Sequence, residues 1–279
     1  MTQFRKLLER WRQDGRPLVM GILNVTPDSF SDGGRFLDRE AALVQARRLV
    51  AEGADILDVG GESTRPGAAP VPEAEERARV VPVIETLARM DLPVAISVDT
   101  SKPGVMTAAV EAGASLINDV RALREPGALA AAARLGVPVC LMHMQGEPRT
   151  MQDNPYYADV VTEVREFLVG RAKACEAAGI PCEDILLDPG FGFGKRLEHN
   201  LALLKHLERL TDTEYPVLVG MSRKRMIGEV LDLPVDRRLH GGLALAVIAA
   251  MKGAAVIRVH DVGPTVEALK MTHAVMTVE

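Results

Sequence analysis

Residues 51–60 read AEGADILDVG, and the construction returns at 111–120 as EAGASLINDV and at 251–260 as MKGAAVIRVH. Each has a helix-like tail, a Gly, a small or polar residue, and then a β-branched run that ends on polar side chains. Gly accepts the left-handed conformation that closes a helix, so a Gly before an apolar run marks a helix-to-strand connection. Two looser copies, ARLGVPVC at 133–140 and EAAGIPCEDILLD at 176–188, repeat the signal. Working outward, the apolar runs are LVMGILNV, DILDVGG, VAISVDT, SLINDV, VCLMHM, ILLDPG, VLVGM and AVIRVH. Helical stretches are expected between them, at Ala41 to Glu52, Glu73 to Met90, Val105 to Ala112, Ala128 to Leu135, Asp159 to Ala178, Asn200 to Leu210 and Arg237 to Lys252. Strand then helix, eight times, is the rhythm of an α/β protein of the (βα)8 TIM barrel type, at about the usual ~250 residues. A doubly wound sheet is the structural alternative. No shift in composition marks a linker, so residues 1–279 are expected to form one barrel domain with a short N-terminal extension at 1–16.

The chain is 47% apolar and 25% charged with a net charge of −5, which provides for a sizeable core and argues against a nucleic-acid partner. No apolar stretch is long enough to span a membrane or to serve as a secretory signal, so a cytoplasmic location is expected. Cys140, Cys175 and Cys182 show no metal-ligand or disulfide spacing and read as packing residues.

The runs end on Asn24, Asp99, Asn118, His143, Asp188 and the pair Arg258 and His260. In a barrel those ends share one rim, where active sites are built. Taken singly, each has a bland alternative: Asp99, ahead of TSKPG, could cap a helix. Familiar motifs do not account for the set. DPGFGFGK at 188–195 lacks the first Gly and the Ser/Thr of a phosphate loop, GMSRK at 220–224 ends in Lys where a nucleophile elbow needs Gly, and DSFSDG at 28–33 has Phe30 where a calcium loop needs an oxygen. Lys224 as a Schiff-base lysine is a further alternative, weakened by the flanking Arg223 and Arg225.

Arg258 and His260, two apart on the last strand, face one side, and a guanidinium with an imidazole at that rim suits a phosphate or pyrophosphate. Asn24 would be an oxygen ligand to Mg2+, which commonly accompanies such a group. Asp99, Asn118, Asp188 and Lys224 offer the acceptors and donors that fit the edge of a flat, nitrogen-rich ring of purine or pterin type.

GILNVTPDSFSDGG, DVGGESTRPGA, SVDTSKPGV, INDV, DPGFGFGK, GMSRKRMIG and IRVHDV, in order and over nearly the whole chain, resemble the dihydropteroate synthases of folate biosynthesis. The resemblance implies a transferase that joins 6-hydroxymethyl-dihydropterin pyrophosphate to p-aminobenzoate, with Mg2+, small-molecule substrates, and a homodimer. It places the pterin on Asp99, Asn118, Met142, Asp188, Phe193, Gly220 and Lys224, and the pyrophosphate on Asn24, Arg65, Arg258 and His260. For aminobenzoate it offers Thr64, Lys224 and Arg225, with Phe30 and Pro66 as walls and Asp32 near the developing cation. Asp99, Lys224, Asp32 and Arg65 would be catalytic, and TPDSFSDGG a lid over the mouth. Arg225 departs from the Ser common in the family, which leaves open whether the benzoate meets that guanidinium or backbone amides. The alternatives carried against the synthase are a pterin-dependent methyltransferase of the same superfamily and a non-catalytic pterin-binding protein.

Overall fold

The computed structural model describes residues 2–26, 34–63, 67–147 and 150–278. All eight apolar runs form strands: β1 (Leu18–Asn24), β2 (Ile56–Gly60), β3 (Ala95–Asp99), β4 (Leu116–Asp119), β5 (Val139–Met142), β6 (Ile185–Asp188), β7 (Leu218–Val219) and β8 (Val256–Val259). They pair in parallel in the order β6-β5-β4-β3-β2-β1-β8-β7. A parallel bridge from Leu187 to Val217 joins the two edge strands and closes the barrel. The helices are α1 (Gln3–Asp14), α2 (Gly34–Ala51), α3 (Glu73–Arg89), α4 (Pro103–Glu111), α5 (Ala128–Leu135), α6 (Val160–Ala177), α7 (Leu197–Lys205), α8 (Glu208–Thr211), α9 (Arg225–Leu231), α10 (Leu239–Met251) and α11 (Val262–Thr277).

The glycine punctuation works as read. Gly53, Gly113, Gly136, Gly179 and Gly253 all have positive φ. After four of them the next amide reaches back to the last turn: Ala54 N donates to Leu49 O, Ala114 N to Ala109 O, Ile180 N to Cys175 O and Ala254 N to Ala249 O, at 2.9 to 3.0 Å. This is the helix ending in which a left-handed residue lets the following N–H satisfy an otherwise unpaired carbonyl, and it aims the chain straight into the next strand. One expectation needs correction. Asn200 to Leu210 is not a single helix: the backbone leaves helical geometry at His206 (φ −113°), so α7 ends there and α8 begins at Glu208, with Leu207 and Leu210 buried beside the break.

Alternation along the strands divides the core in two. Outward residues such as Val19, Leu57, Val98, Ile117, Leu141, Leu187 and Ile257 pack against the helices. Inward residues form a separate cluster of Leu18, Met20, Ile56, Ala95, Leu116, Cys140, Leu186, Leu218 and Val256, joined by Phe4, Leu7 and Leu8. The N-terminal stretch is therefore a helix, α1, that plugs the bottom of the barrel with its apolar face. Arg5 clamps it by a bidentate contact to Asp184 (2.9 and 2.5 Å), and Arg10 binds Asp55 at 2.7 Å.

Candidate active site

Two residues beyond the inward apolar side chains of β2 to β8, the same faces carry Asp58, Ser97, Asn118, Met142, Asp188, Gly220 and Arg258. The lower barrel is dry and packed; the layer above it is polar and nearly as buried. At the rim, register aligns Asn24 with Gly60, Gly60 with Asp99, and Asp99 with Asn118. Most of the polar residues that lie scattered through the sequence are thus neighbours in space.

Arg258 is the hub. Its Nε donates to Asp58 Oδ2 at 2.6 Å and its terminal nitrogen to Asp99 Oδ2 at 2.8 Å. Asn118 Nδ2 also donates to Asp58 Oδ2, at 3.1 Å. Burial pushes the Asp99 carboxyl up to about 8, Arg258 opposing this and Asp58 adding to it. Asp99 is not a helix cap, since Lys102 holds that place on α4. Asp58, fully buried and with Oδ1 unpartnered among the described residues, is the residue that sequence reasoning missed. The signal was an acid in the middle of the apolar run DILDV, where only a paired charge is tolerable.

Asp188, also buried, accepts the Gly190 N–H at 2.7 Å, and burial raises its carboxyl against the pull of Lys224. Lys224 donates to Phe191 O and stands 4.7 Å above the Phe193 ring centre. Burial draws its ammonium down from 10.5 to about 8, with Asp188 opposing. Met142 packs with Val120, Met144, Met151 and Phe193 into an apolar patch beside these acids. Gly220 lies against the Arg258 stem, 3.7 Å from its Cβ if a side chain were added. Carboxylates, an amide and an ammonium thus surround a site with a soft apolar wall, which suits a flat heterocycle rich in N–H donors. His143 is the one strand-end polar residue that does not belong. It follows Met142 by one position, so its ring turns outward, where its Nδ1 meets Lys195 at 2.9 Å and its ring makes a T-shaped contact with Phe167.

Residues 20–260 match the family model for pterin binding enzymes. The chain is 56% identical to the dihydropteroate synthase of Escherichia coli over 261 residues, 94% of this chain and 92% of that one. The chain belongs to the dihydropteroate synthases. A Yersinia pestis dihydropteroate synthase with a sulfonamide drug superposes with a TM-score of 0.90 at 57% identity, covering 95% of this chain and 96% of that one. The Xanthomonas albilineans enzyme in complex with 7,8-dihydropteroate gives 0.86 at 52%, covering 95% of each chain. As a dihydropteroate synthase the chain is a transferase that condenses 6-hydroxymethyl-7,8-dihydropterin pyrophosphate with p-aminobenzoate, releasing pyrophosphate.

At the rim of the synthase, the His260 amide donates to Ser222 Oγ at 3.2 Å, and its Nδ1 lies 3.1 Å from the same hydroxyl. Ser222 thereby joins the end of β8 to the loop after β7. Arg225 opens α9, pairs with Glu229 one turn on, and leaves 83% of its side chain exposed. Arg223 is occupied by Asp261. Phe30, Asp32, Thr64, Arg65 and Pro66 lie outside the described residues, as does most of TPDSFSDGG.

Proposed function

We propose that the synthase reaction runs over the Arg258 hub, with the pterin held on the Asp188, Lys224 and Asn118 side and the pyrophosphate on the Asn24, Arg258 and His260 side. The observation that carries this reading is that Arg258 touches both Asp58 and Asp99 at once, so a single cation links the acids under the ring to the leaving-group side. Asp188 and Asp99 would accept ring N–H groups, Lys224 would donate to the ring carbonyl, and Met142, Phe193 and Gly220 would border its faces. As pyrophosphate departs, positive charge grows on the pterin methylene, and the fixed carboxylates nearby favour it. Arg258 and His260 hold the departing anion, and the arylamine then attacks with no need of a covalent nucleophile. Phe30, Thr64, Pro66 and Arg225 remain the proposed surroundings of aminobenzoate, with Asp32 and Arg65 as proposed catalytic residues. Because Arg225 is drawn toward Glu229, the backbone amides that open α9 are the better placed partners for the benzoate carboxylate.

A Gly60 Cβ would stand 3.8 Å from both Asn24 Oδ1 and Asp99 Oδ2. Two hard oxygen donors beside a position with no side chain fit Mg2+, with Asn24 as its proposed ligand. When bound, Mg2+ would neutralise charge on the pyrophosphate oxygens.

Pyrophosphate release should require pterin pyrophosphate, p-aminobenzoate and Mg2+ together; release independent of the arylamine would remove the proposal. In the same assay loss of the Lys224 charge as pH rises through about 8 should depress kcat/KM against the gain from Asp99, which ionises in the same window, so the Lys224 limb is read as the difference from Lys224→Arg. Lys224→Arg, which stays charged, should lose this limb. A limb shared by both proteins would assign it elsewhere.

A homodimer is proposed through α10 and α11, which pack on each other and expose Ile248, Met251, Met271, Val275 and Met276. Burying such a face against a second copy is favourable. A monomeric mass by light scattering at micromolar concentration would dismiss it. No helix among the described residues is long and apolar enough to cross a membrane, and a cytoplasmic location is part of the same proposal.

A further inference from the structure

Lys195 is a buried amine for which the reaction as described has no use. It is 3% exposed, and no ion pair with a carboxylate is formed by it among the described residues. Its Nζ lies 2.9 Å from His143 Nδ1, 3.0 Å from the carbonyl oxygens of Gly190 and Phe193, and 3.3 Å from His143 O. Burial pulls the Lys195 ammonium well below its usual range, and burial together with Lys195 drives His143 down to about 2, so the imidazole is neutral and free to accept. An amine this deep, with only the charge of Asp188 beyond contact distance to favour its ammonium, is costly unless its hydrogens bind something that matters.

What they bind is the back of the loop that forms one wall of the site. Two of the four contacts come from the loop after β6 and two from the residue just past β5. The two backbones approach so closely that a Cβ on Gly190 would stand 2.0 Å from His143 O, and one on Gly194 2.4 Å from Gln145 O. Both glycines have positive φ, so no other residue serves there without strain. The front of the same loop holds Lys224. Phe191 O accepts from its Nζ, the Phe193 ring lies beneath it, and Gly192 leaves room where a Cβ would press to 3.2 Å from its Cδ. DPGFGFGK, which imitates a phosphate loop, turns its lysine inward onto its own carbonyls.

We infer that Lys195 is a positioning residue for the synthase reaction, clamping the loop of Phe191 to Phe193 onto the end of β5 and so fixing Lys224 over the pterin. The inference rests on the pterin placement given above. A lysine fits the task because it reaches through the loop and sets the hydrogens of a single nitrogen among clustered acceptors.

A double-mutant cycle tests it, with affinity for the pyrophosphate-free pterin read by calorimetry and the melting temperature recorded for each protein. Lys224→Met should weaken binding about tenfold or more, and Lys195→Met about tenfold in the parent protein. In the Lys224→Met background, Lys195→Met should cost less than about twofold, because the residue it positions is gone. A loss of equal size in both backgrounds would mark Lys195 as a general structural residue and overturn the inference. No loss from Lys224→Met would instead remove the pterin placement itself. Should Lys195→Met fail to fold, His143→Phe deletes Nδ1 while keeping a ring against Phe167 and Tyr157. It should show the same coupling with a smaller loss, and additivity there would overturn the inference equally.

Discussion

Arg258→Ala is expected to unfold the synthase at markedly lower denaturant and to cut kcat/KM by roughly a hundred- to a thousandfold. The stability loss follows from what the guanidinium leaves behind. Asp58 is fully buried, already has one unpartnered oxygen, and would keep only Asn118 on the other. Asp99, the other acid on Arg258, would lose its cation as well. Deleting one partner of a buried ion pair costs about 3–5 kcal/mol, because the stranded charge must be dehydrated without compensation. On the proposed placement the kinetic loss has two sources, the missing contact to the leaving group and the disturbed acids beneath the ring. The substitution should therefore weaken free pterin as well as pterin pyrophosphate, though the latter more. Urea titration and calorimetry with the two ligands measure both effects. Unchanged stability together with intact turnover would show that the Arg258 hub carries neither role.

Asp188→Asn is expected to reduce pterin affinity about a hundredfold or more while leaving the fold intact. The carboxylate offers acceptors only, whereas the amide turns one of them into a donor facing the ring's own N–H groups. Leaving such groups unpaired in a buried site costs about 1–3 kcal/mol each. Folding is spared because the amide oxygen can still accept from the Gly190 N–H, and because relief of a buried carboxyl offsets the favourable charge that Lys224 and Lys195 lose. The melting temperature should thus stay level or rise slightly. A collapse in melting temperature, with normal affinity in the folded fraction, would make Asp188 a structural acid.

Most of the proposed site was legible because strand ends in a barrel converge, so that Asn24, Asp99, Asn118, Asp188 and Arg258 could be gathered without knowing any distance. His143 shows the limit of that reasoning. Being near a strand end selects the rim but not the face, and one residue of phase separates Met142 in the site from His143 behind it. Asp58 shows the complementary limit: it lies below the rim, in mid-strand, where only the distance to Arg258 reveals that it supports the site. Lys195 looked like a phosphate-binding lysine gone wrong, since a motif shows spacing and not the direction in which a side chain points.

The sequence by itself determined the eight strands and their alternation with helices, which favours a closed barrel. The turn glycines and apolar runs are local signals, each read within a dozen residues, and their repetition leaves few ways to close a sheet. Only the tertiary structure decided which charges meet. Asp58 and Arg258 are 200 residues apart in the chain and 2.6 Å apart in space. α1 is an N-terminal stretch in the sequence but the floor of the barrel in the fold. The physical reason is that pairing energies depend on distance and burial, both set by how the strands stagger around the barrel, and neither is written in the spacing of residues along the chain.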